Sequence, residues 1–159
     1  VGALMGITDK SELLVSKLRK RLEMVKRKVD GKPRLRVYFE EWDDPMISGI
    51  GWVSELIELA GGTDVFKRLS KQSSARNRIV TSEEVISANP EIIIASWCGK
   101  KVRPDRITCR EGWSKIDAVL QNQIHEIKSP IILQPGPAAL TDGLDSILKV
   151  FLGHESWSK

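Results

Sequence analysis

The stretch LRVYFEEWDDPMISGIGWVSELIELAGG, residues 35–62, predicts a strand, a loop and a helix in direct succession. Its first part is rich in β-branched and aromatic residues, which favour a buried strand. Proline and glycine over residues 45–51 interrupt any regular element. Apolar residues at helical spacing follow from Trp52. The pair Gly61 and Gly62 is expected to end this helix in a left-handed backbone conformation. The stretch therefore predicts the first strand, loop and helix of an α/β domain.

Two more strands are predicted further along the chain. Residues 92–94 are a continuous isoleucine run, typical of a strand that is covered on both faces. Residues 124–127 predict a shorter strand. Helical patterns occupy the intervals, at residues 81–89, 113–120 and 138–152. Strands joined by helical crossovers form a parallel sheet, so we expect an α/β fold: a three-layer lobe with a small, mostly parallel sheet flanked by helices.

A long helix is predicted ahead of the first strand. Apolar residues recur every three or four positions over residues 14–29, and Asp9 with Glu12 fits a capping box. The pattern predicts about 20 helical residues, roughly 30 Å in length, with one apolar stripe packed along the sheet. Residues 67–78 are polar and aperiodic, which predicts a surface loop, and residues 102–112 are also expected to be a loop.

The composition fits one globular domain. The chain has 159 residues, 41% of them hydrophobic, which is enough for a single sizeable core. The sequence contains no run of about 18 apolar residues, so no membrane span is predicted. A net charge of +4 is weak for a nucleic-acid-binding arm, and the cationic residues concentrate on the long helix. A solvated helix face explains them better than a phosphate-binding surface.

The candidate metal ligands do not form a recognisable site. Cys98 and Cys109 show no metal spacing, and either a disulfide between them or two free thiols remains possible. A disulfide would indicate an oxidising compartment. His125 and His154 have no partner at metal-ligand spacing, so structural or solvent roles are favoured. We predict no metal site.

The three predicted strands end in EEWDDP, WCGKK and SPIILQPGP. The carboxyl ends of parallel strands meet at one edge of a sheet, where ligands of open α/β proteins bind. Trp42 and Trp97 are therefore expected at an open edge, where ligand contact and simple packing are both possible. Trp52 and Trp113 begin helices and are expected to pack. The sequence shows no recognisable pattern of a nucleophile, a general base and a group that orients the base, so no catalytic residue is predicted.

Four carboxylates surround the first of these tryptophans: Glu40, Glu41, Asp43 and Asp44. Such a cluster could bind a hard cation or provide an acid and a base. It lacks the spacing of a calcium loop, however. A solvated or partner-facing rim is the favoured interpretation.

Five segments together resemble the carboxyl-terminal lobe of the substrate-binding proteins of cobalamin and ferric-siderophore ABC importers. They are PRLRVYFEEW, WVSELIELAGGTDVF, VTSEEVISANPEIIIASW, REGWSKIDAVLQNQIHEIKS and PGPAALTDGL, in that order over nearly the whole chain. The resemblance implies a non-enzymatic receptor that holds ligand in a shallow cleft between two lobes. Residues 1–30 correspond to a helix that joins the lobes, with its start truncated, and residues 31–159 to the carboxyl-terminal lobe.

The resemblance also implies specific roles. Glu83 matches the glutamate that docks on the importer permease, whereas Trp42, Glu41 and Trp97 match loops that face the cleft. Ile131 and Gln134 belong to a third loop of the cleft, in which this chain lacks the acidic and arginine residues of some cobalamin receptors. The implied ligand is cobalamin, haem or a siderophore, with no resident cofactor and no nucleic-acid partner.

Further implications concern assembly and location. The partners would be the permease and the amino-terminal lobe that this sequence lacks, and the isolated lobe could self-associate through apolar surface. The location would be extracytoplasmic. The alternative is a small α/β interaction or enzyme module acting on an anionic or phosphorylated ligand. That alternative requires a phosphate-cradling glycine loop after a strand, and the sequence has none.

Overall fold

A five-stranded, mostly parallel sheet forms the centre of the computed structural model, which describes residues 2–157. The strands are β1 (Leu35–Asp43), β2 (Met46–Ser48), β3 (Gly62–Asp64), β4 (Ile92–Ala95) and β5 (Ile124–Glu126). β3 and β4 pair in parallel with opposite edges of β1, and β5 pairs in parallel with β4. β2 is antiparallel to the end of β1. The parallel arrangement of the three predicted strands is confirmed, whereas the sequence interpretation missed β2 and β3.

Eight α-helices surround the sheet in the described part of the chain. They are α1 (Thr8–Val29), α2 (Gly51–Leu59), α3 (Lys67–Ser70), α4 (Ser82–Ala88), α5 (Pro104–Thr108), α6 (Asp117–Leu120), α7 (Ser129–Ile132) and α8 (Leu144–Leu152). Short 3₁₀ turns lie at Ala75–Arg78, Trp113–Lys115 and Glu155–Trp157, and a π-helical stretch at Ala139–Gly143 leads into α8. Within residues 2–157, no helix has the length and apolarity needed to cross a membrane.

The core lies in two layers, one on each face of the sheet. Alternate residues of a strand point to opposite faces, so Val37 and Phe39 pack with α1, α2 and α8, whereas Tyr38 packs on the other side. β4 divides in the same way, with Ile93 facing the layer formed by α4, α5 and α6. All three isoleucines of residues 92–94 are fully buried. The predicted helix–sheet–helix layering is confirmed.

The end of α2 follows the predicted glycine signal. Gly61 has a φ of +92°, a left-handed conformation that glycine adopts without strain. Gly62 permits close packing, since a Cβ there would lie 2.8 Å from the Phe151 ring. The predicted capping box of α4 is also confirmed: Thr81 Oγ1 accepts from the Glu84 N–H at 3.2 Å, and the Glu84 carboxylate accepts from the Thr81 N–H at 2.9 Å.

The first helix differs from its prediction in two respects. α1 has 22 residues, close to the expected length, but it begins at Thr8 and its N-cap residue, Ile7, makes no side-chain cap. The Asp9–Glu12 capping box is therefore wrong. Only the carboxyl-terminal half of the apolar stripe packs on the core, where Val25 is buried, whereas Leu14 is 49% exposed.

Several local predictions are also corrected. The presumed loop 102–112 contains α5, and the presumed loop 67–78 contains α3 and the turn Ala75–Arg78. The helix predicted at 113–120 is a 3₁₀ turn followed by the single turn of α6, and Leu120 at its end is 68% exposed. His154 is buried, which fits the structural one of the two roles favoured for it. The two cysteines are unpaired and exposed, so of the two alternatives the structure shows free thiols.

Candidate functional site

The strand ends bring the two predicted site tryptophans together. β1, β4 and β5 run in parallel, so the loops that follow them lie at one edge of the sheet. Lys100 Nζ lies 4.0 Å from the centroid of the Trp42 ring and 5.3 Å from that of the Trp97 ring. Both distances are within cation–π range. One lysine therefore connects the exits of β1 and β4.

The exposure of the two indoles differs. Trp42 is half-buried, with its Nε1–H donating to the Asp44 carbonyl at 2.9 Å. Trp97 is only 2% exposed, and its Nε1–H donates to Glu40 Oε1 at 2.9 Å. The expectation that Trp97 stands open at the edge is wrong, because a buried carboxylate holds its polar group inward. Trp97 instead forms a floor beneath the loops.

Glu40 is the centre of a buried polar cluster. Its side chain is fully buried and accepts from Tyr38 Oη at 3.1 Å and from both terminal nitrogens of Arg110, one of them at 3.0 Å. Burial raises the pKa of Tyr38 well above its usual value, and the Glu40 carboxylate raises it further. The Arg110 guanidinium also stacks on Trp113, 4.5 Å from the ring centroid. Glu40 is therefore a structural anion and not part of a solvated rim.

Glu41 is also occupied by an internal partner. Arg78 donates to its two carboxylate oxygens at 2.7 and 3.1 Å and also donates to the Ser48 carbonyl. The Arg78 side chain is only 2% exposed. This pair fastens the turn Ala75–Arg78 to the β1–β2 hairpin. The predicted ligand-binding role of Glu41 stays a prediction, and any ligand at this carboxylate would compete with Arg78.

Asp43 forms ion pairs with two cationic side chains. Lys100 forms an ion pair with one carboxylate oxygen, and Arg106 Nη1 lies 3.0 Å from the other. Burial raises the pKa of Asp43, but hydrogen bonds from Lys100 and the backbone, together with both cations, outweigh it and lower the pKa below its usual value. Among residues 2–157, no three histidine, cysteine, aspartate or glutamate side chains are placed to hold a metal ion. Three of the four carboxylates, Glu40, Glu41 and Asp43, are thus paired with arginine or lysine, whereas Asp44 is exposed.

A groove of about 480 Å³ lies between the loops that follow β4 and β5, and we call it the strand-exit groove. Its lining comprises Trp97, Gly99, Lys100, Lys101, Glu126, Ile127, Lys128, Ser129 and Pro130. Of the five predicted ligand-binding residues, only Trp97 lines it. Ile131 packs partly against the core and Gln134 is exposed, so their predicted roles remain untested. Sequence reasoning missed the lysines, although WCGKK and EIKS place them directly after strands.

Glu83 does not line the strand-exit groove and lies in the first turn of α4. Hydrogen bonds from its own backbone N–H and from Thr81 lower its pKa, so the carboxylate is ionised at neutral pH. Glu83 has no ion pair within residues 2–157, whereas the neighbouring Glu84 pairs with Arg68 at 3.4 Å. Glu83 is therefore available to a cationic partner.

Comparisons with known proteins agree on one family. The sequence profile described as periplasmic binding protein matches residues 1–131. An uncharacterized ABC transporter substrate-binding lipoprotein, YvrC of Bacillus subtilis strain 168, is 21% identical over 150 residues, which cover 92% of this chain and 46% of the relative. The chain thus spans about half the length of this curated relative.

Two solved structures share the fold. An ABC-type Fe³⁺-hydroxamate transport system protein from Saccharomonospora viridis superposes with a TM-score of 0.77 at 22% identity, covering 96% of this chain and 52% of that one. The periplasmic vitamin B12 binding protein of Vibrio cholerae superposes with a TM-score of 0.61 at 20% identity, covering 83% and 49%. The profile match extends over most of the sequence, and the chain therefore belongs to the periplasmic binding protein family.

Proposed function

We propose that the chain is part of the non-enzymatic substrate-binding component of an ABC importer for an iron chelate or a corrinoid. The observation that carries the proposal is the strand-exit groove, which lies at the carboxyl edge of a parallel sheet, where ligands of this fold class bind. Membership of the periplasmic binding protein family supports it. The relatives that transport Fe³⁺-hydroxamate or bind vitamin B12 support the ligand class, and haem belongs to the same group of candidate chelates.

The second wall of the cleft would come from another lobe. The relatives are about twice as long as the matched region, which leaves room for one. The amino-terminal part of the described chain supports such a contact, because Leu4 is 92% exposed and Met5 is 67% exposed. Leu13 and Leu14 on α1 are also exposed. Without the other lobe, this apolar surface would favour self-association.

The importer permease would bind at Glu83. Its ionised carboxylate has no ion pair in the described structure and suits an arginine on the permease. A solvent-exposed charge at the edge of an interface mainly sets the orientation of the two proteins and the rate at which they associate. The family and the lipoprotein relative support a location outside the cytoplasmic membrane. The complex would then form at the outer face of that membrane.

Ligand binding can be tested by tryptophan fluorescence on the full-length reading-frame product. We expect quenching on addition of one of three chelate classes: cobalamin, haemin or a ferric siderophore. Trp42→Phe should remove much of the quenching because Trp42 lies near the exit of β1. Trp157→Phe should retain the quenching, since Trp157 Nε1–H is bonded to the Pro33 carbonyl, which precedes β1 at the other end of that strand. Absence of any response across the three classes would contradict the proposed function.

Permease docking can be tested separately. Glu83→Gln should slow association of the ligand-loaded protein with its permease several-fold at low salt, with little change in ligand affinity. Glu111→Gln is the matched control because Glu111 is also exposed and has no ion pair in the described structure. Equal association rates for the two variants would contradict the docking role.

A further inference from the structure

The charges that line the strand-exit groove are unbalanced. Lys100, Lys101 and Lys128 contribute three ammonium groups, whereas Glu126 contributes the only carboxylate in the lining. Lys101 and Lys128 have no hydrogen bond or ion pair from their side chains within residues 2–157. Two cations that line the groove, one after β4 and one after β5, are therefore free to contact a ligand.

Lys100 differs from the other two lysines because it is held in place. Its Nζ pairs with Asp43, which also binds Arg106, and lies over the Trp42 ring. Asp43 therefore offsets much of the Lys100 charge, and Glu126 also accepts a hydrogen bond from the Val102 N–H at 3.3 Å. With Lys100 set against Asp43, Lys101 and Lys128 leave the groove with one positive charge in excess of Glu126, and neither lysine has an ion-pair partner in the described structure.

This arrangement favours one kind of chelate over another. An iron tris-hydroxamate or a cobalamin has little or no net charge, so it gains less than an anion would from two lysines that must be partly desolvated. A chelate with free carboxylates or a net negative charge, such as haem or an iron tris-catecholate, can form charge-assisted hydrogen bonds to both. The lysines should therefore raise the affinity for anionic chelates more than the affinity for uncharged ones.

We infer that the strand-exit groove selects chelates of net negative charge, and that Lys101 and Lys128 determine this specificity. The inference rests on the proposed function and goes beyond it by naming the charge class of the ligand. It separates this chain from the relatives that transport Fe³⁺-hydroxamate or bind vitamin B12.

Matched ligand pairs test the inference on the full-length protein. The first pair is haemin and haemin dimethyl ester, which share a macrocycle and differ in two carboxylates. The second pair is an anionic iron tris-catecholate and the uncharged tris-hydroxamate ferrichrome, with cyanocobalamin as a further uncharged probe. In the pair that binds, we expect the anionic member to bind at least tenfold tighter, with a preference that weakens as salt is raised.

Single substitutions test whether Lys101 and Lys128 cause this preference for anionic chelates. Lys101→Gln and Lys128→Gln should each reduce affinity for the anionic member about tenfold, as expected for one charge-assisted hydrogen bond, and leave the uncharged member unchanged. Lys115→Gln is the control because Lys115 is exposed and lies away from the groove, in the turn Trp113–Lys115. It should change neither affinity.

The outcomes separate the two proposals. If an uncharged probe binds as tightly as its anionic partner, or if the Lys101→Gln/Lys128→Gln variant keeps full affinity and preference, the charge inference is overturned and the receptor function stands. If none of the probes binds, both proposals are overturned. Tight binding of the anionic member with loss in the lysine variants supports both.

Discussion

The carboxyl edge of the sheet carries charged residues in two contrasting environments. Beneath the loops, Glu40 and Arg110 form a largely buried pair. At the surface, Lys101 and Lys128 line a groove and have no side-chain partner in the described structure. A buried charge is tolerated only with its partner, whereas an exposed one can be removed at little cost to the fold. Stability and ligand recognition at this edge should therefore respond to different substitutions.

The largest effect is expected from Arg110→Met. The substitution leaves the Glu40 carboxylate buried without its cation, and the loss of one partner from a buried pair costs about 3–5 kcal/mol. Urea denaturation at pH 7 should show this decrease in the free energy of unfolding. The double variant Glu40→Gln/Arg110→Met should recover much of it. A decrease below about 1 kcal/mol for the single variant would contradict the contrast between the two environments.

Arg78→Met should produce a smaller loss of stability. Arg78 is almost fully buried, but the Glu41 side chain is 20% exposed, so water can partly solvate the carboxylate that is left behind. We expect a decrease of about 2–3 kcal/mol in the free energy of unfolding. The exposed neighbour provides a control, since Arg76→Met should change stability by less than about 0.5 kcal/mol. Equal effects at the two positions would show that the Arg78–Glu41 pair contributes no net stability.

Asp64 provides a buried carboxylate that forms no ion pair in the described structure. Burial raises its pKa, and the Phe66 N–H, which donates to Asp64 Oδ1 at 3.0 Å, partly opposes this rise. The folded state therefore holds the proton to higher pH than the unfolded state does. This contribution to stability is present below the unfolded pKa and is lost as pH rises through the folded one.

The free energy of unfolding of Asp64→Asn should consequently increase relative to that of the parent as pH rises above about 4. The increase should be smaller than the decrease expected for either arginine variant. The asparagine oxygen can still accept from the Phe66 N–H. Denaturation of both proteins from pH 3 to 7 measures the difference. A difference that stays constant with pH would mean that the carboxyl keeps its ordinary pKa.

The smallest effect on stability is expected in the groove itself. Lys101→Gln and Lys128→Gln remove exposed cations without partners, so each should change the free energy of unfolding by less than about 0.5 kcal/mol. Thermal and urea denaturation can be run on the same samples that are used for ligand affinity. If either variant lowers the free energy of unfolding by more than about 1 kcal/mol, that lysine stabilises the fold and does not serve ligand binding alone.

The local features of the fold were predictable from sequence. The isoleucine run at 92–94 indicated a strand covered on both faces, and Thr81 with Glu84 indicated a capping box, because both signals depend on neighbouring residues. α5 and β2 were missed because they are only 5 and 3 residues long and carry little periodicity.

The charge pairs of the site were not predictable. Glu40 pairs with a residue 70 positions away and Glu41 with one 37 positions away, so EEWDD gave no sign of its partners. The same long-range contacts buried Trp97 against Glu40 and contradicted its expected exposure. The groove lysines could have been proposed, because each follows a predicted strand, but charge at a strand exit has no fixed spacing.

Trp113 connects the floor of the groove to the helix that carries Glu83. Its Nε1–H donates to Ser82 Oγ at 2.6 Å, and Ser82 is the first residue of α4. Arg110 lies over its ring and holds Glu40, which in turn holds Trp97. Under the proposed function, a continuous series of side-chain contacts thus joins the floor of the ligand groove to the helix that carries the permease-facing carboxylate.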